Sequence, residues 1–348
     1  MTNFIRNSWY AVAWSHELEN KPQAKRVLGE NIAIYRTESG VAAAVEDCCP
    51  HRFAPMSLGF VEGENIICGY HGMEFDRDGC CISIPGQKNL PSRAKIRTFP
   101  VIEKYNLIWA WMGAEERADE AMIPDVHWLD TPGWNPVTGT TRYECNWVLL
   151  VDNLLDLTHT TFVHKSTIGT EDVANTPITT EVEDDRVYVV RDMKNAVPSN
   201  FYKRVGGFDG KIDRWQRIWL EPPSVVIIDA GGVPAGGSRK DDGDDGYTGI
   251  DTRILSMLLP VDDRTVDQIW AFVRDTELDD AQLDADIEKS ITLTFSEDAD
   301  FLAGQQINME RFPNKQMLNN TADEGVVQTR RLIDKWMAAD EAVAEAAE

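Results

Sequence analysis

Four of the six histidines in this 348-residue sequence fall into two clusters with the spacing of metal ligands. The first reads Cys49-Pro50-His51, then sixteen residues, then Cys68-Gly69-Tyr70-His71. Zinc sites usually pair Cys-x-x-Cys with a second such pair or with a His-x(3–5)-His pair, and this pattern does neither. Two mixed pairs suit a [2Fe–2S] centre in which one iron takes both thiolates and the other both imidazoles. Imidazole donates less electron density than thiolate and adds no negative charge, so such a cluster is reduced more easily than an all-cysteine one. Cys49 and Cys68 would hold the buried iron, and His51 and His71 the outer one, where an electron can leave. Pro50, Gly69 and Gly72 permit tight loops, and Pro85-Gly86 could close a third loop over the site. Cys48, Cys80 and Cys81 match no ligand position and read as small buried hydrophobes.

The second cluster reads Asn153-Leu154-Leu155-Asp156-Leu157-Thr158-His159, then four residues, then His164. Two histidines and a carboxylate on one face of a ferrous ion leave open positions for dioxygen and for an approaching substrate. Residues five apart sit about 140° apart around a regular helix, so His159 and His164 share an ion only if the helix is bulged or ends between them. The β-branched stretch Thr158–Val163 is a weak enough helix for that. Asp156 lies three residues before His159, where it could accept the ring's other N–H. It follows the apolar run Leu149–Leu155, where polar groups need partners. Local spacing does not identify the third ligand; candidates lie in a late acidic helix, where Glu297-Asp298 sits between Phe295 and Phe301.

The elements that position these residues read as two domains, as the length favours. Residues 1–112 look all-β, with strands at Val27–Tyr35, Gly40–Val45 and Leu107–Met112. Residues 113–140, rich in Asp, Glu, Pro and Trp, read as a connecting arm within a second domain spanning 113–340. That domain has a short helical stretch over Asp152–His164 and strands near Arg186–Arg191, Ser224–Ile228 and Ile254–Leu259. A long amphipathic helix runs from Asp279 to about Arg311, and a final helix opens at a capping box, Thr321-Ala322-Asp323-Glu324. Gly231–Gly246, dense in Gly and Asp, reads as a mobile loop and a candidate lid. Residues 341–348 read as an acidic flexible tail. The fold class expected is α+β.

Hydrophobic residues make up 43% and charged residues 26%, enough to bury a core. A net charge of −24 repels phosphate backbones and anionic headgroups, which excludes nucleic acid and membrane as expected partners. The opening residues carry no apolar signal core and no later stretch suits a membrane span, so the expected location is cytoplasmic. Two of the six cysteines are committed to a metal motif, so no disulfide framework is expected.

Taken together, the chain resembles the α-subunit of a Rieske non-haem iron oxygenase, in the subgroup of vanillate O-demethylase, dicamba monooxygenase and toluenesulfonate methyl-monooxygenase. The resemblance rests on Arg6-Asn7-Ser8-Trp9-Tyr10-Ala11-Val12-Ala13, Cys49-Pro50-His51-Arg52-Phe53-Ala54-Pro55, Tyr70-His71-Gly72, Ile84-Pro85-Gly86-Gln87, and Leu150–Asp156 through His159 and His164. It implies an N-terminal all-β Rieske [2Fe–2S] domain followed by a helix-grip (START-like) α+β catalytic domain, assembled as a head-to-tail C3 homotrimer. It assigns mononuclear Fe(II) to His159, His164 and Asp298. It makes Asp156 the carboxylate that bridges His71 of one chain and His159 of the next, and places Asn153 beside the iron.

The resemblance also implies a separate flavin and [2Fe–2S] reductase drawing on NADH, with O2 as co-substrate. Hydroxylation of a methoxy carbon on an aromatic substrate would give a hemiacetal that collapses to a phenol and formaldehyde. Aryl-methyl or ring hydroxylation at the same site is the alternative reaction. A Rieske electron carrier without oxygenase activity is the rival function, and the Asp156, His159 and His164 cluster speaks against it. The likeness puts Ser256 where dicamba monooxygenase carries a pocket histidine, and leaves Arg253 or Arg142 to pair a substrate carboxylate. The sequence names no particular aromatic.

Overall fold

A computed structural model describes residues 4–164, 176–183, 185–239 and 249–345. The chain divides into two units, Met1–Ile123 with Leu259–Asp263, and Pro124–Leu258 with Arg264–Glu348.

The first unit is built from three small antiparallel sheets. One joins Trp9–Trp14, Leu107–Trp111 and Val101–Lys104, and a second joins Gln23–Val27, Glu30–Arg36, Ala42–Glu46 and Thr98–Phe99. The third, Phe60–Glu62, Asn65–Ile67, Glu74–Phe75 and Cys81–Ser83, carries the segments beside the first His/Cys cluster. The single strand expected over Val27–Tyr35 is instead a hairpin. Leu28 and Gly29 take φ of 51° and 82°, the twist that a two-residue turn between antiparallel strands needs. The core of this unit includes Tyr35, Met56, Phe75, Cys49 and Cys68. Cys81 is buried as expected, but Cys48 and Cys80 are only half-buried. Each sits beside a buried cysteine in extended chain, and successive side chains there point to opposite faces, so one of each pair is turned from the core.

The second unit is α+β. We label its strands β1 Asn135–Tyr143, β2 Thr179–Glu183, β3 Arg186–Ala196, β4 Ile212–Glu221, β5 Val225–Pro234, β6 Ile250–Asp262 and β7 Thr265–Arg274. Its helices are α1 Trp147–Leu155, α2 Thr160–Val163, α3 Asn200–Gly206, α4 Ala281–Arg311 and α5 Glu324–Glu345. The seven strands form one sheet in the order β1-β7-β6-β5-β4-β3-β2. Two expectations fail here. The arm over 113–140 ends in strand β1, which pairs residue by residue with β7. Gly231 to Pro234, expected in a mobile loop, complete β5, because Gly231 and Gly232 pack their backbones against Trp215 and Tyr202 where a Cβ would clash. Residues 240–246 of the candidate lid lie outside the described residues.

Helix α4 is 31 residues long and is capped by Asp280, whose carboxylate accepts from the Gln282 and Leu283 amides at 3.0 Å. Its buried positions include Leu283, Ile287, Thr294, Phe295, Asp298 and Leu302, the spacing of one helix face. A carboxylate therefore sits in an otherwise mostly apolar stripe. The capping box before α5 lies one residue earlier than expected and closes a 3-10 turn, Thr321–Asp323, that leads into the helix. Asn320 accepts from the Ala322 amide at 2.7 Å and Asp323 accepts from the Asn320 amide at 2.7 Å, so the box is Asn320-x-x-Asp323. Helix α5 continues through Glu345, into the segment expected to be flexible. No helix among the described residues is long and apolar enough to cross a membrane.

Candidate metal centres and substrate cavity

In the first unit the two ligand-bearing loops share one construction. The Phe53 amide donates to the Cys49 carbonyl and the Gly72 amide to the Cys68 carbonyl, both at 2.9 Å. Each loop therefore closes over four residues, with Phe53 and Gly72 at φ of 57° and 70°. Cys49 and Cys68 are each 1% exposed, whereas His51 and His71 are exposed with ring centroids 4.5 Å apart. Burial pushes the Cys49 thiol up to about 11, so a metal's positive charge would be needed to hold it as thiolate. Two sunken sulfurs beneath two facing imidazoles fit a [2Fe–2S] cluster held by Cys49, Cys68, His51 and His71.

Gly69 is needed for close approach, since a Cβ there would lie 2.4 Å from the Leu58 carbonyl oxygen. Gly69→Ala should cost about 3 kcal/mol or more by overpacking and strip the cluster. A lower melting temperature with loss of visible absorption checks this; unchanged values would show that the loop has room to spare.

In the second unit the helix breaks where the ligands require it. Helix α1 starts at Asn146, whose side chain accepts from the Val148 amide, and ends at Leu155. Asp156 is extended, with φ −83° and ψ 106°, and its Oδ1 accepts from the Thr158 amide at 2.7 Å and the Thr158 hydroxyl at 2.6 Å. Helix α2 is only four residues long, with His159 before it and His164 after it. Because the helix ends between them, the two rings converge despite their five-residue spacing. Their Nε2 atoms are 3.2 Å apart, and Asp298 on α4 places Oδ1 3.6 Å from His159 Nε2 and Oδ2 3.3 Å from His164 Nε2. Ligand bonds of about 2.1 Å at right angles would set donors about 3 Å apart, so this triangle fits one face of an octahedral ion. His159, His164 and Asp298 are also the three residues whose donor atoms cluster within 4.8 Å.

The surroundings tune these donors. Burial lowers the His159 pKa by more than Asp298 and Asp156 raise it, which favours the neutral ring that binds metal. Burial also lowers His164, but hydrogen bonds to Asp298 and Glu297 outweigh it and raise the pKa. Glu297 accepts from or shares a proton with His164 Nδ1 at 2.8 Å. It is therefore the partner of a ligand, and Asp298 faces the metal side. Local spacing left Glu297 and Asp298 as alternatives, and only the resemblance chose Asp298; adjacency on a helix hides that they approach opposite nitrogens of one ring. Glu297→Gln should weaken mononuclear metal binding about 10- to 100-fold while leaving the cluster intact. Titration of the metal-depleted site with Co(II) checks this, and unaltered affinity would remove Glu297 from the site's support.

Asp156 lies 3.8 Å from His159 Nδ1, beyond hydrogen-bond range, and that Nδ1 is buried with no partner among the described residues. The expected Asp156–His159 hydrogen bond is thus an approach, because Asp156 spends one oxygen on Thr158. Asn153 donates from Nδ2 to Asp298 Oδ1 at 3.2 Å, which holds the carboxylate from the α1 side. Asp152, one residue before it, is taken by Arg330 of α5 through Nε at 2.9 Å.

Beside the triad opens a cavity of about 530 Å³, the size of a small-molecule site. Its walls come from α1 and α2 with their junction, α3, the inner face of β4 to β7, and α4. Aliphatic and aromatic groups such as Val205, Ile228, Ile254, Phe272 and Phe295 dominate it. Ser256 is not among the lining residues. It is fully buried and accepts from Gln268 Nε2 at 2.8 Å, while Ile254, two positions earlier, faces the cavity. Arg253 and Arg142 also point elsewhere: Arg253 is held by Asp229 and Asp251, and Arg142 by Asp267. Polar wall groups that sequence reasoning missed include Arg214 and Gln216. The signal was period-two alternation in Ile212–Glu221, which puts Arg214, Gln216 and Ile218 on one face.

Residues 8–100 match the Rieske [2Fe–2S] domain, and residues 143–339 match the vanillate O-demethylase oxygenase C-terminal domain. The chain belongs to the vanillate O-demethylase family of Rieske oxygenases. Among relatives of this Rieske oxygenase, the vanillate O-demethylase oxygenase subunit of Pseudomonas sp. (strain HR199 / DSM 7063) is 37% identical over 99% of this chain and 98% of its own length. The putative toluene-4-sulfonate monooxygenase system iron-sulfur subunit TsaM2 of Comamonas testosteroni is 35% identical over 97% and 98%. The crystal structure of dicamba monooxygenase bound to 3,6-dichlorosalicylic acid matches with a TM-score of 0.90 at 29% identity over 99% of both chains. The fold class read from the sequence, a Rieske β domain followed by an α+β catalytic domain, holds. This oxygenase carries a Rieske [2Fe–2S] domain and a His/Asp site for the mononuclear iron typical of the family. Its relatives are oxygenase components of multi-component systems, so electrons come from a separate reductase.

Proposed function

We propose that this Rieske oxygenase O-demethylates a methoxylated aromatic compound, releasing formaldehyde and consuming O2, with electrons drawn from NADH through a flavin and [2Fe–2S] reductase. The observation that carries the reading is the His159–His164–Asp298 triangle opening onto an apolar cavity of about 530 Å³. When bound, the cluster supplies single electrons and the mononuclear iron supplies oxygen activation. The remaining work falls to side chains. Cys49 and Cys68, buried, and His51 and His71, exposed, would hold the cluster. Asn153 fixes the Asp298 carboxylate, Glu297 fixes the His164 ring, and the apolar walls exclude water and orient the aromatic ring beside the triad.

The working assembly in this reading is a head-to-tail C3 homotrimer in the cytoplasm. Asp156 of one protomer links His159 to His71 of its partner, and the unpartnered His159 Nδ1 supports a carboxylate that shifts when that contact forms. The experiment is a panel of methoxylated, methylated and unsubstituted aromatics supplied with reductase and NADH, scored by formaldehyde and oxygen uptake. Formaldehyde in proportion to oxygen supports demethylation; hydroxylated products without formaldehyde would replace it with ring or methyl hydroxylation. Iron content near three per chain agrees with an oxygenase, and near two would leave an electron carrier.

A further inference from the structure

The cavity wall holds a positive charge that the protein leaves unanswered. Arg214 on β4 is 7% exposed, lines the cavity, and makes no ion pair within 4.0 Å among the described residues; its Nε is buried without a hydrogen-bond partner. The guanidinium stacks on the Tyr202 ring at 4.4 Å, and Tyr202 is in turn held by the Gly231 carbonyl, so the cation is fixed in place. The neighbouring strand adds to the imbalance. Arg191 on β3 is 3% exposed and pairs across the sheet with Gln216, next to Arg214 on the same face. Arg191 donates to the Leu157 carbonyl at 3.1 Å and faces the charge of Asp156.

The carboxylates of the cavity are already committed, Asp286 on α4 accepting from Gln282 Nε2 at 3.1 Å. Asp298 and Glu297 face His159 and His164, and Asp156 faces Arg191. Burial, then the nearness of Arg214, brings Arg191 down to about 10, as expected of two guanidiniums sharing a low-dielectric wall. An unpaired buried cation is costly, and the site recovers that cost only when an anion enters. Gln216, two residues along the same strand, offers a buried and unpartnered Oε1 that can accept from a hydroxyl.

We infer that Arg214 is the specificity-determining residue of this cavity and pairs an anionic substituent, a carboxylate or a sulfonate, on a single-ring aromatic substrate. The inference deepens the proposed demethylation and rests on that reading for the reacting group alone. The aliphatic and aromatic part of the wall, Val205, Ile228, Ile254, Phe272 and Phe295, takes the ring, while the charged end is drawn to β4.

The test is calorimetric titration of the intact, metal-loaded oxygenase with 3-methoxybenzoate, 3-methoxybenzenesulfonate and the neutral 3-methoxybenzamide. At least one anion should bind about 30-fold or more tightly than the amide, and the better anion identifies the substituent. Arg214→Gln should bring the anions down to the level of the amide, and Arg214→Lys should restore part of the preference. Equal binding of amide and anions in the wild type, no binding of either anion, or a preference that survives Arg214→Gln would overturn the assignment. If Arg214→Gln does not fold, the wild-type comparison and Arg214→Lys decide on their own. Formaldehyde plays no part in this readout. Anion binding without demethylation would therefore overturn the proposed reaction and leave the anion site standing.

Discussion

Asp298→Ala removes the mononuclear metal and keeps the cluster. Iron content should fall from about three to about two per chain while the visible absorption of the cluster is unchanged. Activity should drop to no more than about a hundredth of wild type, since even indirect supports of metal ligands are worth 10- to 100-fold. The reason is geometric. Among the described residues Asp298 is the one carboxylate within reach of both ring Nε2 atoms, at 3.6 Å and 3.3 Å, and it is 3% exposed. Its neighbour Glu297 meets His164 at the opposite nitrogen, so it does not take over without turning α4. The substitution also removes the acceptor for Asn153 Nδ2, a smaller loss of about 1 kcal/mol that should leave the fold intact. Full iron retention with normal turnover would show that the third ligand lies elsewhere.

Asp156→Asn should keep both metals and the fold yet lower coupled turnover about 100-fold or more. Asparagine still offers an Oδ1 to the Thr158 amide and hydroxyl, so the turn that ends α1 survives. The change deletes the negative charge that faces Arg191 and approaches His159. In the proposed trimer that charge and its hydrogen bonds join the two metal centres. Pre-reduced Asp156→Asn enzyme mixed with substrate and O2 should therefore hold its cluster reduced far longer than wild type, followed by the visible spectrum in a stopped-flow experiment. Reoxidation at the wild-type rate would end the bridging role.

The ligand types and the order of the two domains were legible because they are local. Cys49-x-His51 and Cys68-x-x-His71 sit in closed loops whose geometry follows from the sequence inside each loop. Helix α4 was likewise near its expected position, since Asp280 caps where a cap residue was available. What escaped depended on long-range pairing. The hairpin at Leu28-Gly29 and strand β1 are specified by partners, and β1 needs β7, more than a hundred residues away, to declare itself. Arg214 carries no motif of its own, and only the folded sheet places it on the cavity face, while Ser256 looked like a pocket residue until Gln268 sealed it. Glu297 and Asp298 could not be separated by spacing without the family resemblance, because physically only the position of the His164 ring tells them apart.

The stripe on α4 has a mechanical consequence. Leu283, Ile287, Ile291 and Phe295 touch the cavity, and the same line of the helix ends in Asp298. Glu297 and Asp298 grip His164 at its two nitrogens, so the ring is bolted to that helix. A molecule filling the cavity leans on a single stiff rod, and the far end of the rod is the metal's anchor. One helix face therefore serves both as cavity wall and as the mount for the metal's carboxylate.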